Sequence, residues 1–459
     1  MYGRAFVPEI QEFIRNRDFK ALREAMVELL PADLADALSF LNPEERAVVF
    51  RMLPTALAAD IFEYLEIDEQ EALLRSLGQA EAAAILNEMA PDDRTALLEE
   101  LPGTVTRKLI SLLTPEERRV ATMLLGYPEG SIGRRMTPDY VSIREEWTVA
   151  QVIEQLRRFG RDSETMNILY VVDVQGKLLD DIRLREVILA PADRRVTELM
   201  DNTFAALNVN DDQEVAVERI KHYDRVALPV VDSRGILVGI VTVDDVLDVA
   251  AEETTEDIHK LGAVVALDEP YIDTGFFSMV RKRAVWLCLL FLGEMLTVNA
   301  LSRFSVHIEK AVVLTLFIPL IISSGGNSGS QATTLIIRSL ALGEIGLGDW
   351  WRIMRREVLT GLCLGGVLGS LGFLRILLGA QFSHQYAVHV LPLGFAIAFA
   401  LVCVVLWGTL VGSMLPLLLR RIGLDPAVSS APLVATMVDV IGVTIYFGIA
   451  VIILRGHLL

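Results

Sequence analysis

The 459-residue chain is 52% hydrophobic and 22% charged, with a mean hydropathy of +0.43, which excludes an ordinary soluble protein. The charge is uneven: residues 281–459 hold 7 acidic and 13 basic residues, whereas residues 1–280 hold 53 acidic and 29 basic ones. An acidic half of this size repels nucleic acid and attracts cations, although a merely solubilising acidic surface gives the same balance.

Residues 1–130 are predicted to form an α-helical domain, a superhelix of short amphipathic helices. Leucines follow i, i+3, i+4 spacing between prolines that suit the first turn of a helix. These prolines are Pro31, Pro43, Pro54, Pro91 and Pro115. The period of the repeat is loose and uneven. The acids Asp60, Asp92 and Asp93 are interpreted by default as a solvated face.

Residues 131–250 contain an α/β duplication of roughly 60 residues, over about 136–195 and 196–250. YVVDVQGKL in the first copy is matched by PVVDSRGIL in the second, and the pattern resembles tandem CBS domains. The GIVTVDDV segment resembles the part of such pairs that holds an adenosine nucleotide such as ATP, here through Thr242 and Asp245. The first copy lacks the equivalent Gly and Thr. A scaffold without a ligand is the alternative.

An acidic linker helix is predicted over 246–266. Carboxylates recur at one-turn spacing from the preceding residues onward, and unpaired like charges at that spacing destabilise a helix. A hard divalent cation neutralises them, while a solvated charged face is the alternative. The carboxylates are Asp244, Asp245, Asp248, Glu252, Glu253, Glu256 and Asp257.

Residues 281–459 are predicted to form a transmembrane domain with five helices, at about 284–303, 311–339, 357–380, 390–419 and 430–455. With five crossings, the basic clusters at 281–283, 352–356 and 420–421 all fall on one side. The positive-inside rule then makes the acidic half cytoplasmic and puts the C-terminus outside. Five spans cannot form two equal inverted repeats, so two subunits are expected to build the path together.

The second span carries SGGNSGSQATTLIIR, which includes Gly325, Gly326, Asn327 and Gln331. At membrane depth, such hydrogen-bonding sequence is tolerated only where it is buried in protein or lines a water-filled path. Close packing of two helices on the small residues is the alternative. We interpret this stretch as a candidate transport path.

Two acids lie well inside predicted spans: Glu294 in the first and Asp439 in the fifth. An intramembrane carboxylate is costly and is taken as functional by default. Asp439 lies among small and hydroxyl residues, as expected for a pore-facing stripe. Ion pairing with Arg338 or Arg375 is the alternative for both acids.

Together with this domain order, SGGNSGSQATTLIIR and APLVATMVDVIG resemble the MgtE family of magnesium transporters and channels. The resemblance implies a homodimer in lipid whose pore is lined by the second and fifth spans of both subunits. Asp439 would be the pore carboxylate, with Asn327, Gly325, Gly326 and Gln331 near the path. Glu294 is not expected across the family.

The resemblance also implies that the acidic helix is a plug. Mg²⁺ bound between the N-domain, the CBS pair and the plug holds the pore shut in such proteins. The matching acids are Asp60, Asp92, Asp212, Glu214, Asp224, Asp245, Asp248, Glu253, Glu256, Asp257 and Asp425.

The function expected is a Mg²⁺-selective transporter or channel of the inner membrane that moves hydrated Mg²⁺ down its electrochemical gradient. Mg²⁺ dehydrates reluctantly and prefers oxygen ligands, which carboxylates supply. A CBS-regulated membrane enzyme is the first alternative, but the sequence has no P-loop or hydrolase motif. Transport of Co²⁺, Mn²⁺ or an anion is the second, disfavoured by the scarcity of intramembrane His and the isolation of the Arg residues.

Overall fold

The computed structural model describes residues 5–161, 163–267, 271–272, 274–382 and 390–455. The chain divides into two compact units, Met1–Ala251 and Glu252–Leu459. The division falls inside one continuous helix, Val243–Leu261, so the acidic linker helix begins directly at the end of the last strand.

The described residues at the start of the first unit form short helices joined by turns, with no strands up to Leu124, as predicted. These helices are α1 Val7–Asn16, α2 Phe19–Val27, α3 Pro31–Ser39, α4 Pro43–Met52, α5 Thr55–Glu63, α6 Ile67–Ser76, α7 Gln79–Glu88, α8 Pro91–Glu100, α9 Gly103–Leu112 and α10 Pro115–Leu124. Their leucines, isoleucines and phenylalanines form one continuous core that follows the row of helices.

The helical repeat is regular, so the expectation of an uneven period is wrong. The helices α4, α6, α8 and α10 begin 24 residues apart, and α5, α7 and α9 also begin 24 residues apart. The prolines conceal this period because proline is only one way to start a helix. Ile67 replaces it in α6, and Pro54 lies one residue before α5 rather than inside it.

A long polar side chain recurs with the same period and ties each helix to the one before. Its nitrogen donates to a carbonyl eight residues earlier, in the last turn of the preceding helix, where carbonyls lack helical partners. The pairs are Arg46 to Leu38 O (3.0 Å), Gln70 to Phe62 O (2.8 Å), Arg94 to Leu86 O (3.0 Å) and Arg118 to Ile110 O (3.1 Å).

The duplicated region follows, with helices α11 Ile132–Arg135, α12 Val149–Phe159, α13 Leu184–Leu189, α14 Gln213–Tyr223 and α15 Val243–Leu261. Its strands are β1 Ser142–Arg144, β2 Ile168–Val172, β3 Leu178–Arg183, β4 Leu207–Asn208, β5 Ala227–Val231 and β6 Leu237–Thr242. Each copy makes a three-stranded sheet in which the first pair is parallel and the second antiparallel.

The matching VVD segments end their strands in equivalent turns. Gly176 and Gly235 both adopt positive φ, which glycine tolerates without steric cost. The two turns bond each other, since Leu178 N donates to Gly235 O and Leu237 N to Gly176 O, each at 3.0 Å. This pseudo-symmetric pairing confirms the predicted duplication.

Among the residues that the structure describes, the second unit contains five helices long and apolar enough to cross a membrane, as predicted. These spans are Phe276–Arg303, Val312–Ala341, Leu347–Gly379, Val390–Arg421 and Ala431–Leu454. The α-helical parts of the second and third are Ile318–Ala341 and Trp350–Phe382, and a short helix, Ser305–Lys310, precedes the second. The second, fourth and fifth spans bury their apolar faces against one another.

Candidate ion path and acidic cluster

The second span presents a polar stripe on one side. Ser323, Asn327, Gln331, Thr334 and Arg338 recur every three or four residues and are exposed in the single chain. The Asn327 amide donates to the Ser323 hydroxyl at 3.5 Å, within the stripe. This face therefore offers hydroxyl and amide groups at membrane depth.

The glycines of the same span are buried: Gly325 and Gly329 pack against both the fourth and the fifth spans, whereas Gly326 faces Ala435 of the fifth. A Cβ at Gly408 would collide with the Gly325 carbonyl oxygen, and a Cβ at Gly412 with that of Gly329. The Thr333 hydroxyl donates to Gly412 O at 2.9 Å. Gly325 thus has the close-packing environment that the sequence left open as an alternative, and a lining role for Gly325 and Gly326 stays a prediction.

Asp439 is half-buried in the fifth span, and its carboxyl group lies within hydrogen-bonding reach of the Glu294 carboxyl group in the first span. Among the residues that the structure describes, Arg338 and Arg375 form an ion pair with neither acid. The ion-pair alternative is therefore not observed, and the two acids are instead each other's neighbours.

An acidic cluster in the first unit joins carboxylates from four segments of the chain: Glu63, Asp92, Asp93, Glu164, Asp244 and Asp245. Asp92, in the first turn of α8, is only 7% exposed, which makes its interpretation as a solvated surface acid wrong. The charged groups that shift the pKa values of Asp92 and Asp93 are all carboxylates. The cluster therefore concentrates negative charge at low solvation.

Burial and mutual repulsion raise the pKa values in this cluster, since both favour the neutral carboxyl group. Burial and the nearby Glu63 and Asp245 raise the pKa of Asp93 to about 7. Burial and Asp60 raise the pKa of Glu63 to about 7, against a hydrogen bond from Ala90 N. Burial and Asp244 raise the pKa of Asp245 to about 6, and the pKa of Asp92 lies well above its ordinary range because of burial and Asp245.

Not all predicted sensor acids come together within one chain. Asp212 caps the start of α14, accepting from Glu214 N at 3.0 Å, and Asp224 ends the same helix in a left-handed conformation. Eleven helical residues separate these ends by about 16 Å. Asp60 is exposed on α5, where it raises the pKa of Glu63, and the exposed Asp248 raises that of Asp245.

The acids assigned to the second unit lie around a lysine. Lys260 Nζ is 2.7 Å from Asp425 Oδ2 and 2.8 Å from Glu256 Oε1. Burial and the Asp425 charge raise the pKa of Asp257. Glu253 adds to that repulsion. These carboxylates surround one fixed positive charge.

The predicted nucleotide residues are engaged in a helix cap. The Thr242 hydroxyl bonds the carboxylates of Asp244 and Asp245, the latter at 2.7 Å, at the start of α15. A cavity of about 580 Å³ lies elsewhere, between β3–α13 of the first copy and the α14–β5 turn of the second. Its lining includes Arg183, Arg185, Arg225 and Asp224.

The donor set suits a hydrated hard cation. All the candidate ligands are carboxylates, which Mg²⁺ prefers. Within the described ranges, no three His, Cys, Asp or Glu side chains converge tightly enough to hold a bare metal ion. Mg²⁺ commonly keeps several waters and binds through one or two carboxylates, so spaced acids fit it better than a closed cage would.

Sequence reasoning missed Glu63, Glu164 and Lys260. Glu63 and Glu164 lie in α5 and in the loop before β2, far from Asp245 in sequence, and nothing local distinguishes them from surface acids. Lys260 did carry a signal, since it follows Glu256 by one helical turn and is the only basic residue besides His259 in α15.

Comparison with known proteins agrees with this architecture. Residues 318–449 match the family described as divalent cation transporters, residues 29–130 match the MgtE intracellular N domain, and 130–193 and 196–252 match CBS domains. The chain is 40% identical over 450 residues to the magnesium transporter MgtE of Thermus thermophilus, covering 97% of this chain and 98% of that one. It is 35% identical over 333 residues to that of Enterococcus faecalis, covering 72% and 71%.

Solved structures resemble the soluble half. A crystal structure of the cytosolic domain of the Mg²⁺ channel MgtE in complex with ATP is 39% identical, with TM-score 0.51, and covers 53% of this chain and 99% of that one. The soluble part of a magnesium transporter is 30% identical, with TM-score 0.52, and covers 55% and 99%.

The fold and these matches define a membrane protein of the divalent cation transporter class, with a cytosolic N-terminal region and a CBS pair. The chain belongs to the MgtE family of magnesium transporters, which are transporters or channels and not enzymes. The predicted family and fold class are thereby confirmed.

Proposed function

We propose that this protein is a homodimeric, Mg²⁺-selective channel or transporter of the inner membrane, closed by Mg²⁺ bound to its cytoplasmic acids. The ion moves down its electrochemical gradient, with the C-terminus outside. The observation that carries the transport part is Asp439, a carboxylate held at membrane depth in the fifth span, without a basic partner among the described residues.

The polar stripe of the second span supports a dimeric path. Hydroxyl and amide groups are costly against lipid, so Asn327 and Gln331 require a water-filled path or a protein partner. A second copy of the chain supplies both, with two Asp439 carboxylates facing one hydrated ion. Selectivity then follows from the size of the path, because Mg²⁺ keeps most of its water shell.

The acidic cluster of the first unit supports the gate. The six carboxylates repel one another, most strongly at the buried Asp92 and the half-buried Glu63, Asp93 and Asp245, and bound divalent cations remove that repulsion. Cation loss then favours a conformation in which the acids separate, so Mg²⁺ shifts the population toward the closed state. The acids of the second half of α15, with Asp425, act in the same way within the second unit.

Mg²⁺ uptake into proteoliposomes tests the path. Asp439→Ala is expected to reduce uptake at least about tenfold, whereas Glu309→Gln, which removes an exposed acid of the short helix before the second span, leaves it unchanged. Normal uptake by Asp439→Ala would overturn the proposed path.

The gate is tested by varying Mg²⁺ on the side of the soluble domains. Replacing Asp92, Asp93 and Asp245 together by Asn is expected to leave uptake that high Mg²⁺ no longer suppresses. Suppression equal to that of the wild type would contradict the proposed regulatory role.

Nucleotide binding is a second proposed property, favoured by the arginine-lined cavity. Three arginines, Arg183, Arg185 and Arg225, line this cavity, and arginine binds phosphate groups in a bidentate fashion. Arg225 also pairs with Asp181 at 3.2 Å, which leaves Arg183 and Arg185 as the main phosphate contacts. Titration with ATP should show binding that Arg185→Ala weakens and Thr242→Ala leaves unchanged. Binding that Thr242→Ala weakens and Arg185→Ala leaves unchanged would instead place the nucleotide site at the GIVTVDDV segment.

A further inference from the structure

The first span meets the fifth at a close approach beside Asp439. A Cβ at Gly293 would lie 2.7 Å from Thr436 Cγ2, so any larger residue would force the Thr436 side chain to shift. Thr436 precedes Asp439 by one turn, and Glu294 follows Gly293 directly. The glycine contact therefore fixes Glu294 opposite Asp439, where their carboxyl groups come within hydrogen-bonding reach.

A second group in the same place is unsatisfied. The Thr297 hydroxyl, one turn beyond Glu294, is buried, and the described part of the chain offers it no hydrogen-bond partner. A buried polar group without a partner costs free energy unless water or a ligand bonds to it. A hydrated cation at the carboxyl pair brings such water.

We infer that Glu294 is a second carboxyl group of the ion path, which positions Asp439 and increases the preference for divalent over monovalent cations. Two ionised carboxylates this close repel each other, and one divalent cation compensates both charges. A monovalent cation leaves one charge uncompensated in a medium of low dielectric constant, where the penalty is larger than in water. The inference rests on the proposed transport function, with Asp439 in the path.

The test compares Glu294→Gln, Glu294→Asp and Asp439→Asn in full-length protein in proteoliposomes, with Glu309→Gln as the matched carboxylate control. Readouts are the KM for Mg²⁺ and the ratio of Mg²⁺ to Na⁺ flux. Glu294→Gln is expected to raise the KM and lower the flux ratio by about tenfold, and Glu294→Asp to restore part of both. Glu309→Gln should match the wild type.

A purely structural role is distinguished by two further measurements. The thermal midpoint in detergent should not be lowered in Glu294→Gln, because the substitution removes a repelling charge. The double variant with Asp439→Asn should have no lower flux ratio than Asp439→Asn alone, because the two carboxyl groups act as one pair. A flux ratio for Glu294→Gln equal to that of Glu309→Gln overturns the inference. The inference is also overturned if Glu294→Gln lowers both the flux ratio and the thermal midpoint, and Glu294→Asp does not restore the flux ratio. Normal flux in Asp439→Asn instead overturns the proposed path itself.

Discussion

Lys260 donates to Asp425 at 2.7 Å and so bridges the acidic helix and the loop before the fifth span. Burial alone would lower the pKa of Lys260, but its hydrogen bonds to Asp425 and Glu256 more than offset this effect and raise it. The ammonium group therefore stays charged at neutral pH. It occupies carboxylate oxygens that we assign to regulatory Mg²⁺.

Lys260→Met is expected to strengthen closure by Mg²⁺. Without the ammonium group, the Asp425 and Glu256 carboxylates lose their competing cation, so the Mg²⁺ concentration for half-maximal suppression of uptake should fall several-fold. Lys260→Arg, which keeps the charge, should stay near the wild type. A rise in the half-maximal concentration for Lys260→Met would mean that the lysine acts as a tether instead.

A second prediction concerns Asp93 and the 24-residue repeat. Arg46 pairs with Glu69 at 2.8 Å and the buried Arg94 pairs with Glu117, each 23 residues further on. The equivalent pair in the repeat between them is Gln70 and Asp93, in which the arginine is missing. Because Gln70 is uncharged, it forms no ion pair with Asp93, and Asp93 contributes its charge to the acidic cluster.

Gln70→Arg should withdraw Asp93 from the cluster by giving it an ion-pair partner. The expected results are weaker suppression of uptake by Mg²⁺ and greater thermal stability in Mg²⁺-free buffer, on the order of 1 kcal/mol. Gln79→Arg adds the same charge at an exposed helix start and serves as the control. Identical Mg²⁺ responses in the two variants would contradict the assignment of Asp93 to the cluster.

The raised pKa values predict a pH dependence. In the folded protein the pKa values of Glu63, Asp93 and Asp245 are about 7, 7 and 6. In the unfolded chain these carboxyl groups have ordinary pKa values near 4. Between these limits the folded state binds more protons, so stability falls as pH rises from about 4 to about 7. Thermal midpoints measured without Mg²⁺ should decline across that pH window. Added Mg²⁺ should raise the midpoint most near pH 7, where the carboxylates are most fully ionised.

The control for this pH dependence is the removal of a titrating group. Asp93→Asn should flatten the decline, and it should also reduce the gain on adding Mg²⁺. If the slope of Asp93→Asn equals that of the wild type, the cluster does not govern the pH dependence.

Local patterns made the architecture predictable, whereas distant contacts did not. Each of the five apolar runs, and each of the two VVD segments, is recognisable from a stretch of about 30 residues. The membrane spans and the duplication could therefore be predicted from sequence. The burial of Asp92 and the approach of Glu164 depend on how α8 packs near the loop before β2, which no local pattern encodes. Likewise, Glu294 was recognised as an intramembrane acid, but its neighbour Asp439 lies 145 positions away.

The glycine contacts between the second and fourth spans predict a steric sensitivity. A Cβ at Gly412 meets the backbone carbonyl of Gly329, and backbone atoms cannot move aside as a flexible side-chain end can. Overpacking of this kind typically costs about 1–3 kcal/mol. Gly412→Ala should lower the thermal midpoint in detergent and reduce uptake, because separating these helices also displaces the polar stripe. Gly366→Ala in the third span, where nothing lies within 4 Å of the new Cβ, should lower neither, because alanine is the better helix former. Equal losses in the two variants would contradict the packing explanation.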